Sequence, residues 1–274
     1  MSDPTRERRR LRYLEAMGIP CWSLRATPPH ALRGERWDAA RRSDEERRPA
    51  VTLSHSAAAE AEPRQGTAPG PQQAGERGLP DRSALAEDWD TLEKRVAACT
   101  ACELHRSRTQ TVFGVGNREA TWLVIGEAPG EQEDLQGEPF VGRAGLLLNE
   151  MLRAIGLRRD EVYIANILKC RPPGNRDPRP EEVAACEGFL KRQIALLHPR
   201  IILAVGRIAA QSLLKTATPI GKLRGQVHRY EGIPLVITYH PAYLLRSPQE
   251  KRKAWQDLLL AVHTFRKSLS DSPS

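Results

Sequence analysis

Cys99 and Cys102 stand two residues apart, and Cys170 and Cys186 follow much later in the chain. Thiolates in that order can ligate one metal centre, the close pair biting from a single turn and the remote pair closing the site. A disulfide framework does not suit a chain of 274 residues with five cysteines and no apolar leader segment at its start. On spacing alone zinc and an iron–sulfur cluster both remain open. A set made only of sulfur, without a matched histidine, leans to iron. The plainer alternative is that Cys170 and Cys186 are small buried hydrophobes. Cys21 stands apart from the pattern.

A second group of side chains follows the apolar runs of the chain. Gly126-Glu127-Ala128-Pro129-Gly130 is a turn with two glycines and a proline, which can aim backbone amides at a ligand. The acids that follow it, Glu131, Glu133 and Asp134, argue against phosphate as that ligand. Phe140 lies in the loop over residues 139–145, as a platform for a flat ligand or as a plug in the core. Asn166 ends another apolar run, where a buried amide is costly unless paired. Its adjacent donor and acceptor suit the edge of an amide-like ring such as a nucleobase, and they also suit a tie within its own loop. His240, fixed by Pro241, ends the last run.

Something must bring these residues to one place. Four strand-sized runs, Trp122-Leu123-Val124-Ile125, Val162-Tyr163-Ile164-Ala165, Ile201-Ile202-Leu203-Ala204-Val205 and Leu235-Val236-Ile237-Thr238, are continuous rather than alternating. Strands covered on both faces read that way. Helical periodicity fills residues 88–99, 146–155, 181–197, 208–214 and 249–266. The alternation predicts an α/β fold, a three-layer sandwich around a four-stranded parallel sheet. Ligands of such sheets bind at the carboxyl ends of the strands, where Glu127, Asn166 and His240 fall.

The composition bounds the partners. A net charge of +8 favours a polyanion such as nucleic acid. No apolar run reaches the length of a membrane span, so a cytoplasmic protein without membrane contact is expected. Residues 1–84 read as an N-terminal extension, arginine-rich and then poor in large apolar residues, with a short anchor near 11–24. Residues 85–267 read as the folded domain and 268–274 as a disordered tail.

GEAPGEQED at 126–134, PFVGRAG at 139–145, NILKCRPPGNRDP at 166–178 and HPAYLLR at 240–246, with the four cysteines in order, resemble family 4 of the uracil-DNA glycosylase superfamily. These are the iron–sulfur enzymes of bacteria and archaea. The resemblance implies a hydrolase that flips deoxyuridine out of DNA and cleaves its N-glycosidic bond in base excision repair. It also implies a [4Fe-4S] cluster on Cys99, Cys102, Cys170 and Cys186. Phe140 would then stack on uracil and Asn166 read its edge. His240 would stabilise charge on O2, beside the backbone of Glu127 and Ala128. Glu127 is assigned to the water and Glu133 to the C5 edge, where it excludes thymine; the reverse assignment stays open. Asn175 would position water or backbone, Leu244 and Tyr243 would wedge into the gap left by the base, and Arg246, Lys222 and Arg224 would hold phosphates. The partner implied is uracil-containing DNA, met by a monomer whose extension contacts another repair or replication protein. A covalent uracil binder of the superfamily carries an inserted basic loop after the second strand, and no such insertion follows Asn166. The alternative is a non-catalytic iron–sulfur DNA-binding or polymerase-associated module on the same fold.

Overall fold

The computed structural model describes residues 88–270. The extension over 1–84, its anchor and the end of the tail lie outside the described residues. Helix α1 (Trp89–Ala97) is capped by Asp88, whose carboxylate accepts the Thr91 N–H at 2.8 Å. There follow β1 (Val115–Gly116), β2 (Trp122–Gly126), α2 (Glu131–Gln136), α3 (Arg143–Ala154) and β3 (Tyr163–Asn166). The second half holds α4 (Pro180–Leu197), β4 (Ile201–Val205), α5 (Arg207–Leu214), α6 (Ile220–Leu223), β5 (Val227–Tyr230), β6 (Ile233–Thr238), α7 (Pro241–Arg246) and α8 (Lys251–Ser270). The last helix passes the expected domain limit at 267 and runs to Ser270. Among the described residues no helix is long and apolar enough to cross a membrane.

The strands form one sheet in the order β1-β3-β2-β4-β6-β5. The four central strands are parallel, as the continuous apolar runs predict. Side-chain alternation divides them between two cores. Trp122, Val124, Ile164, Leu203 and Val236 pack with Leu148 and Leu152 of α3 and Leu258 of α8. Leu123, Ile125, Ala165, Ile202 and Ile237 pack with Leu190 and Ile194 of α4 and Leu213 of α5. Each fully buried aliphatic side chain contributes about 1.5–3 kcal/mol, and together they make the three-layer sandwich.

The sheet has six strands instead of the expected four. β1 and β5 add antiparallel edges, at β3 and β6 respectively. β5 is mostly solvent-facing, so it lacks the continuous apolar signature of the central strands. Its signal was the two-residue turn Glu231-Gly232, with φ of 48° and 84°, joining Tyr230 to Ile233. Positive φ at both positions is the geometry of a tight hairpin.

Arg224 is a fastener of this fold, which corrects its expected role in holding phosphate. Its Nε and Nη2 donate to the two carboxylate oxygens of Asp257 on α8, each at 2.9 Å. Asp257 is fully buried and the Arg224 side chain is 13% exposed. The guanidinium also lies 5.2 Å from the centre of the Tyr239 ring, so it steadies the segment that leads from β6 to His240. Removing one partner strands the other charge away from water. Asp257→Ala is expected to lower the unfolding free energy by about 3–5 kcal/mol in urea titrations; a loss under about 1 kcal/mol would mean that the pair is effectively solvated.

Candidate functional site

A cleft of about 760 Å³ opens at the carboxyl edge of the central strands. Glu127, Ala128, Glu133, Phe140, Asn166, Asn175, His240 and Arg246 all line it. The parallel register of β2 and β3 sets Gly126 opposite Asn166. Asn166 is 2% exposed, and its Oδ1 has no hydrogen-bond partner among the described residues. An unpaired buried acceptor costs about 1–3 kcal/mol. At the floor of a cleft, that geometry asks for a ligand with an N–H to donate.

Gly126 has a role that the turn reading missed. A Cβ there would lie 2.4 Å from Asn166 Oδ1 and 2.7 Å from Phe140 Cζ. Only a residue without a side chain lets the amide and the ring converge. Phe140 has φ of 56° and is 7% exposed, and its ring lies 5.6 Å from that of His240 at an interplanar angle of 28°. Its carbonyl fills the space that a Cβ at Gly145 would need, with the two atoms only 1.8 Å apart.

His240 caps the start of α7. Its Nδ1 accepts the backbone N–H of Ala242 at 3.1 Å, so a neutral ring carries its proton on Nε2. Burial, then the charge of Arg246, pushes its pKa down to about 4, against a weaker pull from Glu133. The ring is therefore a neutral donor at pH 7. Burial also acts on Glu127 and, with help from nearby Asp177, pushes it up to about 7, while Arg207 opposes the shift. Arg207 and Asp177 form an ion pair at 2.6 Å. Neither was singled out from the sequence: Asp177 lies in the motif over 166–178, but its partner stands 30 residues later.

The two candidate carboxylates differ in their commitments. Glu133 Oε1 accepts from the backbone N–H of Val141 at 3.0 Å and of Gly142 at 3.3 Å, so it ties down the loop after Phe140. Asn175 lies at the rim with φ of 54°, its Oδ1 accepting from Arg171 Nε at 2.8 Å. Leu244 cannot be a wedge: it is 1% exposed and part of the core under α7. Helical spacing turns Tyr243, 36% exposed, outward at the cleft instead. Lys222 is exposed on α6, near the cleft-lining Ile220.

Cys99, Cys102, Cys170 and Cys186 surround one small cavity beside Arg108, Lys169 and Phe189. None of the four is in a disulfide. Cys170 Sγ accepts from Arg108 Nη1 at 3.1 Å, and Cys186 Sγ from the Lys169 N–H at 3.3 Å. Burial pushes the Cys186 thiol up to about 11, so a metal's charge is what would stabilise its thiolate. Among the described residues no three His, Cys, Asp or Glu side chains converge tightly enough to hold a single ion. Lys169, 1% exposed and also missed from the sequence, joins this nest to the cleft: its Nζ donates to the Asn166 carbonyl at 3.0 Å and to Gln193 Oε1 at 2.6 Å.

Residues 113–259 match the family model of the uracil DNA glycosylase superfamily. The chain is 45% identical over 179 residues to a type-4 uracil-DNA glycosylase of Archaeoglobus fulgidus, 62% of this chain and 90% of that protein. It is 49% identical over 163 residues to one of Thermotoga maritima, 59% and 85% of the two chains. A DNA polymerase of Bacillus phage SP01 is 31% identical over 137 residues, half of this chain but 15% of the polymerase.

The His240 geometry has a direct spectroscopic consequence. Nitrogen NMR of the imidazole is expected to show a single proton on Nε2 with titration near pH 4, where a solvated ring would titrate near 6.5. Between those values the unfolded chain binds the proton and the folded one does not, so stability falls as the pH drops from 6.5 toward 4. An imidazolium present at pH 6 would contradict this placement.

Proposed function

Because the chain belongs to the uracil-DNA glycosylase superfamily, we propose that it excises uracil from DNA by hydrolysing the N-glycosidic bond and leaves an abasic site for repair. The observation that carries the reading is the unpaired Asn166 Oδ1 on the floor of a cleft walled by an aromatic ring, a neutral imidazole donor and a perturbed carboxylate. Uracil presents N3–H to that oxygen. Cytosine has an acceptor at N3, so two lone pairs would meet there, and a buried mismatch of that kind discriminates strongly.

The base must leave the stack to reach this depth. Phe140 offers its face to the flipped ring. As the bond from N1 to C1′ breaks, its electron pair moves onto uracil and positive charge builds on the sugar. The His240 Nε2–H stabilises the developing charge at O2, as a fixed donor in a dry site does. Water supplies hydroxide to C1′, and its proton passes to a base. Glu127 suits that task, because its pKa of about 7 leaves it partly ionised at neutral pH. Glu133 suits the static wall at the C5 edge, because one of its oxygens is already held by two backbone amides. Of the two expected wedges Tyr243 keeps the role, and Arg246 at the cleft faces phosphate.

Cys99, Cys102, Cys170 and Cys186 would hold a [4Fe-4S] cluster, whose contribution is structural. The convergence of four sulfurs on one cavity, with N–H groups donating to two of them, supports that donor set. Through Lys169 the nest holds the backbone of Asn166, the residue that reads the base. The polymerase relative keeps the reading of an accessory module in play, but a module that only binds has no use for a neutral donor and a perturbed acid converging on one cleft.

Incubation with a uracil-containing single-stranded oligonucleotide, followed by alkali, is expected to cut at uracil and leave thymine intact. No cutting by protein that carries its full iron would sink the assignment. Asn166→Asp is expected to slow uracil excision by about 10- to 100-fold and to narrow the preference over cytosine; unchanged discrimination would remove Asn166 from the reading of the base. Single-turnover rates are expected to rise with pH through about 7 as Glu127 ionises. Glu127→Gln should abolish that inflection and slow the reaction by roughly 10²- to 10⁴-fold, while Asp177→Asn, by removing a like charge, should move the inflection to lower pH. A wild-type profile in Glu127→Gln would assign the water to another group.

A further inference from the structure

Phe140 must be held in an unfavourable backbone conformation for its ring to face the cleft. A φ of 56° is the left-handed region, which a bulky side chain enters only when its surroundings force it. Two charged side chains grip the loop from opposite ends of its peptide dipoles. Glu133 takes the N–H groups of Val141 and Gly142. Arg159, in the short turn Arg159–Glu161 that precedes β3, takes the carbonyls: Nη1 donates to Phe140 O at 3.3 Å and Nη2 to Pro139 O.

Several features set Arg159 apart from a surface cation. It is half-buried, and burial pushes its pKa down from the ordinary arginine value. Among the described residues no carboxylate lies within ion-pair distance of it, although Glu138 and Glu133 contribute favourable charge at longer range. Its remaining close contact is Asn149 Oδ1 on α3, at 3.4 Å from Nη1. A guanidinium that gives up water for two neutral carbonyls on adjacent residues, one of them the strained residue itself, fixes a peptide orientation. A planar fork does this where a point charge would not.

We propose that Arg159 is a positioning residue for base recognition: by holding the Pro139 and Phe140 carbonyls it sets the Phe140 ring over the flipped uracil. The inference rests on the uracil reading above. It assigns Arg159 no contact with substrate, so its loss should act on the base and not on the DNA backbone.

Two affinities separate these effects. Equilibrium dialysis with radiolabelled uracil measures the base site alone, and an oligonucleotide carrying an abasic site measures the DNA surface without a base. Arg159→Gln is expected to weaken free-uracil binding about 10-fold, within the range for loss of base–aromatic stacking, and to leave abasic-site affinity within about twofold. Arg159→Lys, which keeps the charge and loses the fork, is expected to fall between the two, and it decides the matter on the same affinities if Arg159→Gln does not fold. Uracil binding at the wild-type level in the variants, or a parallel loss of both affinities, would overturn the proposal. Wild-type protein that neither binds nor excises uracil would overturn the uracil reading itself, a distinct outcome.

Discussion

The cleft depends on a volume that is kept empty of side chain at residue 126. Parallel pairing places Gly126 directly across from Asn166, and the Phe140 ring edge closes over the same spot. One methyl group there would overlap both, at 2.4 and 2.7 Å. The missing Cβ therefore does more than loosen a turn. It lets a hydrogen-bonding edge and an aromatic face approach the same ligand from two directions. The rest of the structure maintains that approach: strand register fixes Asn166, and the loop from Phe140 is gripped through its amides by Glu133 and through its carbonyls by Arg159.

Burial gives the two titratable groups of the cleft complementary properties. Both prefer their uncharged forms when removed from water, but imidazole is charged when protonated and carboxyl when deprotonated, so the same burial moves them in opposite directions. His240 falls to about 4 and becomes a reliable neutral donor. Glu127 rises to about 7 and becomes able to exchange a proton at working pH. One environment thus yields a fixed dipole and a proton acceptor, the division of labour that bond cleavage with a departing anion requires. The backbone finishes the assignment, since the Ala242 N–H occupies His240 Nδ1 and leaves Nε2 as the donor.

The cysteine nest contributes at a distance. Lys169 donates its backbone N–H to Cys186 and its Nζ to the Asn166 carbonyl, so one buried residue joins the cysteines to the floor of the cleft. With Gln193 as its other partner, the lysine is satisfied by neutral acceptors. Burial pulls the lysine down to about 8, and only the charge of nearby Cys186 opposes that shift.

Four continuous apolar runs were enough to determine the parallel core, because only strands covered on both faces carry such runs, and short motifs at their ends gave the floor and walls of the cleft. The edge strands escaped because β5 is half solvated and β1 is two residues long, too little for periodicity to register. Side-chain direction was the other gap. Leu244 and Tyr243 are neighbours in the chain, yet a helical turn sends one into the core and the other to the cleft. Arg224 read as a free cation until Asp257, 33 residues later, came to meet it. Lys169 and Asp177 sit inside the motif over 166–178 and Arg159 outside any motif, yet all three matter through partners supplied by other elements. Residue types, spacing and strand order are local properties that the sequence by itself determined. Which groups lost water, which charges met and which atom of Asn166 was left unpaired depend on contacts between distant segments, and only the tertiary structure decided those.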